Sequence, residues 1–304
     1  MEACLAIDIG GTKVEVGVVA RDGVVVARQS TSTIEPAPLD GEDLFARIQS
    51  LIVPVLAIAN SSTDDLQIIA VGVGCGGPMA PLGETVSPLN IAVWSDFPLR
   101  SRLASSCVGI CEQVHIDNDA KALALAEGWI GAAQGSSNFM AMVVSTGVGG
   151  GIVLDGRLLD GRLGNAGHIG HLVVNPGGRE HAGILGTVEG EASGTAIAAL
   201  TGRPAADADA SSRARTGTLV GRAIGGVANL LDLDLVVVAG SVALGYGDAF
   251  FVAAQDEVDR VAKLDHSLGT RVVPAGLGPD GPLVGAGAVG FRGRGEPLGT
   301  IQPR

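Results

Sequence analysis

The sequence predicts an α/β protein of two lobes, each built from one duplicated unit. Three observations carry that prediction. The order strand, glycine turn, strand, Asp-Gly turn, strand occurs twice, once from residue 4 and again from residue 139, and such self-similarity marks a repeated unit. Fully apolar runs at 68–73 and 235–239 read as buried strands of a covered sheet. The 304 residues allow two domains at roughly 150 residues each. A central cleft between such lobes is a natural ligand site.

In the first half, 4–9 reads as a strand, Gly10-Gly11-Thr12-Lys13 as a glycine turn and 14–19 as the returning strand. Asp22-Gly23 between apolar runs is a hairpin signal, and 24–27 is the third strand. A helical pattern covers about 40–59, where Pro54 is expected to kink the helix or end it early. The second half runs strand 139–144, glycine turn Ser145-Thr146-Gly147-Val148-Gly149-Gly150, strand 151–154, turn Asp155-Gly156 and short strand 157–159. Helices are expected near 189–200 and 216–231. The small polar stretch 203–215 reads as a surface loop, and the Gly/Pro/Arg-rich tail after Arg292 as a fraying end.

Composition narrows the function classes. Hydrophobic residues at 46% and charged residues at 17% fit a globular chain. The 47 glycines lack a period of three, which excludes collagen. Aromatics are only 3%, so Ala, Val, Ile and Leu must build the core. Acids outnumber bases 32 to 20, a net charge of −12 that repels polyanions at long range; no nucleic-acid partner is expected. Cys4 and Cys75 lie in apolar runs and read as small buried hydrophobes. Cys107 and Cys111 are spaced to pair, yet nothing in so long a chain marks a disulfide framework. The N-terminus has no basic region and carries Glu2 and Asp8, unlike a signal peptide. Apolar runs such as 51–59 fall short of the ~18 residues of a membrane span. A reduced cytoplasm and no membrane partner are the expectation.

A glycine turn directly after a buried strand lets backbone N–H groups approach an anion closely. Asp8-Ile9-Gly10-Gly11-Thr12-Lys13 has that form: Asp8 closes the strand, where a carboxylate can hold Mg²⁺ through water, and Thr12 and Lys13 add a hydroxyl and a cation. Alone it reads equally as an ordinary hairpin turn. The second turn, with Ser145, Thr146, Gly147 and Gly149, supplies the same features at the matching place in the repeat, and the pair favours nucleotide binding. Gly240-Ser241 after strand 235–239 suits an adenosine contact, or is a plain strand end. Gly72-Val73-Gly74-Cys75-Gly76-Gly77 formally matches a dinucleotide fingerprint, but Pro78, Pro81 and Pro88 follow where that motif needs a helix.

These motifs together resemble the ROK family of sugar kinases and repressors, within the hexokinase/actin-like ATPase (ribonuclease H-like) fold. The resemblance runs from Leu5 to about Gly287 and rests on Leu-Ala-Ile-Asp-Ile-Gly-Gly-Thr-Lys, Asp117 to Glu127, Ser-Thr-Gly-Val-Gly-Gly-Gly-Ile-Val and Gly164 to His171, in the family's order and spacing. It implies lobes of about 1–116, with the tail from about 290 packed on it, and 117–289. It implies ATP and Mg²⁺ as cofactors, with polyphosphate as an open donor, and a sugar and a nucleotide as small-molecule partners. Family members are often homodimers.

Residue by residue, the resemblance makes Asp119 the general base and Asn118 a holder of a sugar hydroxyl. Read from the residues alone, Asn118-Asp119 before an apolar helical run is a helix cap. Asn90 matches a sugar-contacting Asn, Gly76 and Gly77 line the same pocket, and Trp94 is either its wall or part of the core. Two departures stand out. The family writes Gly-Glu-x-Gly-His; here His168 takes the Glu position and His171 matches the His. The zinc motif Cys-x-Cys-Gly-x-x-Gly-Cys-x-Glu aligns with 180–189, where Glu180, Ala182 and Thr187 replace the cysteines. A structural zinc needs about four ligands, so none is expected. His168, His171, Glu180 and His181 leave a different metal site as the alternative to histidines in a sugar pocket. Glu189 is a sugar contact, or a helix-start acid.

The resulting expectation is an ATP-dependent kinase of a hexose or N-acetylhexosamine, acting at the 6-hydroxyl. A non-catalytic sugar sensor is the alternative. A repressor is not expected, because the first strand begins at about residue 4 and leaves no room for a DNA-binding domain.

Overall fold

The computed structural model describes residues 1–63 and 65–303. Two compact units divide the chain: unit 1 holds residues 1–130, 160–166 and the stretch from 279, and unit 2 holds 131–159 and 167–278.

Unit 1 contains β1 (Glu2–Ile9), β2 (Lys13–Ala20), β3 (Val25–Ser32), α1 (Gly41–Ser62), β4 (Gln67–Cys75), α2 (Leu99–Ser106), β5 (Val114–Asn118), α3 (Asp119–Ile130) and the C-terminal helix Gly281–Gly293. Its sheet runs β3-β2-β1-β4-β5. The first three strands are antiparallel hairpins, which tight turns can join. β4 and β5 lie parallel to β1, reached through connections that carry α1 and α2.

Unit 2 contains β6 (Phe139–Val144), β7 (Val148–Leu154), β8 (Arg157–Leu158), β9 (Glu180–His181), β10 (Ile184–Leu185), α4 (Val188–Ala192), α5 (Gly194–Thr201), α6 (Ala210–Leu231), β11 (Leu235–Ala239), α7 (Ser241–Tyr246), α8 (Asp248–Val261) and β12 (Arg271–Pro274). Its sheet runs β12-β11-β6-β7-β8, with β6, β7 and β8 antiparallel and β11 and β12 parallel to β6. This is the strand order of unit 1 again, so the predicted duplication holds at the level of topology.

In the run Gly72–Gly77 that formally matches a dinucleotide fingerprint, Gly72 has a packing role. A Cβ on Gly72 would lie 2.0 Å from Ala286 O and 2.6 Å from Gly290 N, so the C-terminal helix lies directly against β4 there.

Several expectations are corrected. α1 continues through Pro54. Pro54 and Ser50, whose carbonyl the proline frees, are both exposed, while Leu44, Phe45, Ile48, Ile52, Val55 and Ala59 bury the opposite face. This helix reaches a mean hydropathy of 1.5 and is long and apolar enough to cross a membrane, contrary to the run-length expectation, although its buried stripe packs on the sheet. Residues 210–215 are the start of α6, where Asp209 caps by accepting from Ser212 N at 2.7 Å. The expected helix 189–200 breaks at Ser193, whose hydroxyl caps α5 through Ala196 N. The second glycine turn is short, because Val148 to Gly150 extend β7. The tail packs rather than frays: Leu298 and Ile301 are buried, and Arg294 donates to Ile69 O at 2.6 Å.

The division between units also differs from the expected boundary at 116/117. α3 belongs to unit 1, where it packs on the C-terminal helix and Trp129 meets the Phe291 ring edge-on at 5.7 Å. The helix from 281 belongs there too, rather than with the second half.

Candidate active site

In unit 1 the parallel strands β1, β4 and β5 end side by side. Asp8, Gly74 and Asp117 pair in one row, and Ile9, Cys75 and Asn118 in the next. Gly10-Gly11, Gly76-Gly77 and Asp119 therefore emerge together from one sheet edge, the carboxyl end where α/β sheets bind ligands. A Cβ on Gly74 would lie 3.5 Å from Asp8 Oδ1 and 3.7 Å from Asp119 Cα, which places the two carboxylate residues on either side of that bare strand position. Asn90 joins them: its Cβ is 2.8 Å from where a Cβ on Gly11 would stand.

Asn118 Oδ1 accepts from Ala120 N at 3.0 Å, so the cap reading of Asn118 is realised at the start of α3. Burial among the strands, then the charges of Asp119 and Glu15, lift the Asp8 carboxyl to about 7, with Lys13 opposing. The Lys13 ammonium itself pairs with Glu15 at 2.7 Å. Gly10 N donates to Lys13 O at 3.0 Å and closes the turn. Trp94 is core: it is buried, stacks on Phe97 at 4.6 Å and donates to Gly41 O at 3.0 Å.

Sequence reasoning missed Lys121. Its side chain is fully buried, with Nζ 2.8 Å from Asp117 and 2.6 Å from Asp160, and it donates to Gly164 O at 3.2 Å. Asn165 exchanges two hydrogen bonds with the Met79 backbone, at 3.1 and 2.9 Å. Segment 160–166 is thus fastened beside β5 and α3. The trace in the sequence is a lone lysine within an apolar helical run.

In unit 2, Ser145 N donates to Gly147 O at 3.0 Å, and the Ser145 and Ser241 hydroxyls lie 3.0 Å apart. The second and third glycine turns are therefore adjacent. Gly240 has φ +100°, and a Cβ there would lie 2.3 Å from Val144 O, so glycine is required at this strand end. Thr146 O accepts from the Thr195 hydroxyl at 3.0 Å.

The other predicted set also lies in unit 2. His168 and His171 meet ring to ring at 5.9 Å, and His171 and His181 at 6.1 Å. Glu189 accepts from Val148 N at 2.9 Å through Oε2, and its Oε1 stands 3.2 Å from His181 Nε2. The Nδ1 of His171 is buried with no hydrogen-bond partner among the described residues.

The ROK family profile matches residues 4–290. The chain belongs to the ROK family. It is 35% identical over 260 residues to an N-acetylmannosamine kinase of Yersinia pestis (strain Pestoides F), covering 80% of this chain and 84% of that one. The fold matches a ROK hexokinase from Thermus thermophilus with TM-score 0.77 and 28% identity, covering 95% of this chain and 98% of the other. A ROK glucokinase from Streptomyces griseus, solved with glucose and AMPPNP, matches with TM-score 0.79 and 26% identity over 95% and 99% of the two chains. The three positions that the resemblance aligns with zinc cysteines, 187, 182 and 180, are occupied as follows. Thr187 caps α4 by accepting from Gly190 N at 3.1 Å, Ala182 sits at φ +50° in the turn between β9 and β10, and Glu180 is exposed on β9.

Proposed function

We propose that this ROK protein is an ATP-dependent sugar kinase that phosphorylates a hexose or an N-acetylhexosamine at the 6-hydroxyl. The observation that carries the reading is the position of Asp119, directly after β5, next to Asn118 and across Gly74 from Asp8. A carboxylate there takes the proton of the sugar hydroxyl as its oxygen attacks the γ-phosphorus. Asn118 and Asn90 hold sugar hydroxyls, and Gly76-Gly77 leave room for the ring. In unit 2, His168, His171 and Glu189 are the candidate sugar contacts, with the His168 and His171 rings 5.9 Å apart. The N-acetylmannosamine kinase and glucokinase relatives support this substrate class.

Gly10, Gly11 and Thr12 offer N–H groups and a hydroxyl to phosphate, as do Ser145, Thr146, Gly147 and Gly149; Gly240-Ser241 serves the adenosine. Bound Mg²⁺ supplies positive charge against the β- and γ-phosphates. Asp8 is the carboxylate suited to hold it through water. Burial first, and then the charges of Asp119 and Glu15, keep its own proton on to about pH 7, and the opposing Lys13 is paired to Glu15. The cytoplasm is the proposed compartment.

The experiment is Asp119→Asn. The expected result is at least about a 100-fold fall in kcat with nucleotide binding retained; near-normal turnover refutes the base assignment. A sugar sensor without turnover is the second reading, favoured by His168 in the place of the family glutamate. A neutral imidazole cannot accept two hydrogen bonds at once as carboxylate does.

A further inference from the structure

The ROK resemblance implies a zinc that ties the segment before α4 to its surroundings. The residues present do not fit one. The three cysteines are absent, and among the described residues no three His, Cys, Asp or Glu side chains are grouped to hold a metal ion. The segment is nonetheless closely tied. Val174 N and Asn175 N donate to Gly186 O at 2.8 and 3.0 Å, and Gly186 N donates to Arg179 O at 2.7 Å.

We infer that Glu191 and Arg215 take over the fastening as a metal-free staple, and so act as positioning residues for Glu189 and His181. The Glu191 side chain is 1% exposed. Its Oε1 accepts from Arg179 N at 2.7 Å, and its Oε2 accepts from Asn175 Nδ2 at 3.2 Å and pairs with Arg215 Nη2. Arg215 Nη1 also donates to Glu191 O at 3.3 Å. One carboxylate on α4 thereby joins two points on the first arm of loop 174–187, Asn175 and Arg179, to α6, much as a metal joins separate ligands. The carboxylate lies close against the backbone there: a Cβ on Gly178 would lie 2.2 Å from Glu191 Oε1 and would push it aside. A buried carboxylate with three donors loses far more when one partner is removed than an exposed pair does. Glu189 stands two residues before Glu191 on the same short helix, and His181 on the fastened loop faces it at 3.2 Å. Loosening the staple therefore displaces that pair without touching Asp119.

The test combines metal analysis with hydrogen exchange, neither of which depends on the proposed turnover. The purified protein is expected to hold no stoichiometric zinc, and EDTA to leave its Tm unchanged; one zinc per chain, or a chelator-induced drop in Tm, overturns the inference. Glu191→Gln and Arg215→Met are expected to speed amide exchange in 174–187 at least about tenfold while β6 and β11 keep their protection. Arg215→Lys should restore most of that protection. Asn175→Ala, which removes one donor and spares the ion pair, gives a smaller increase and serves if the charge variants do not fold. Unchanged exchange in the loop overturns the staple. In the sugar kinase assay, which rests on the proposed function, these variants raise the sugar KM about tenfold with kcat nearly kept. A fall in kcat at unchanged KM contradicts the positioning role.

Discussion

At the scale of single residues, the Asp8 carboxyl carries the sharpest prediction. Its folded pKa of about 7 stands above the ordinary 3.8, raised first by burial and then by Asp119 and Glu15. A raised carboxyl favours the folded state at low pH. That contribution is complete below about pH 4 and is lost as pH rises through about 7. For the nucleotide-free protein, Asp8→Asn should therefore leave Tm nearly unchanged near pH 4, raise it progressively up to about pH 7, and hold that gain at higher pH. Parallel Tm profiles for the two proteins contradict the assignment. Asp8 and Gly10-Gly11 are legible in the sequence because they stand at the end of an apolar run, where the chain must turn; Asn118 and Asp119 read from the residues as a helix cap and as a site only through the family resemblance. Lys121 and Glu191 are not, because each has a partner far along the chain: Asp160 is 39 residues from Lys121, beyond the nearby Asp117, and Arg215 is 24 from Glu191. A buried charge shows itself only once the fold brings its counter-charge alongside.

Among the elements, α3 does the most to position the site. It is buried on nearly every side, so the Lys121 charge within it is tolerated through Asp117 and Asp160. Lys121→Met leaves Asp117 buried without that partner and should cost about 3–5 kcal/mol in urea unfolding. Asp160→Asn should cost much less, because Asp160 is 31% exposed. Equal costs for the two variants contradict the view that Lys121 answers mainly to the buried carboxylate. Most strands of both sheets are legible as short apolar runs beside glycine turns, but β5 and β12, one at an edge of each sheet, are not. The C-terminal helix Gly281–Gly293 is not, because its glycines lower helix propensity. Those glycines are what the packing demands: a Cβ on Gly290 would lie 2.3 Å from Cys4 Sγ, and one on Gly285 2.8 Å from Ala122 O. Gly72, whose run only formally matches a dinucleotide fingerprint, likewise serves helix packing. The 203–215 stretch misleads for a related reason. Its small polar residues include the exposed first turn of a long helix, whose start is signalled by one capping aspartate.

For the molecule as a whole, the repeated strand order shows a duplicated α/β architecture, and the family profile spans nearly all of it. The duplication was readable because both halves place glycine turns at matching strand ends. The division into units was not, because the chain returns to unit 1 at 160–166 and again from 279. Local composition carries no mark of such returns; they depend on contacts such as Lys121 with Asp160. The central claim is that this ROK chain transfers phosphate from ATP to a sugar. A coupled ADP assay with MgATP over glucose, mannose, allose, N-acetylglucosamine and N-acetylmannosamine tests it most directly. The account predicts sugar-dependent ADP release with at least one of the five, abolished in Asp119→Asn. Nucleotide binding with no sugar-dependent ADP release from any of them would contradict it.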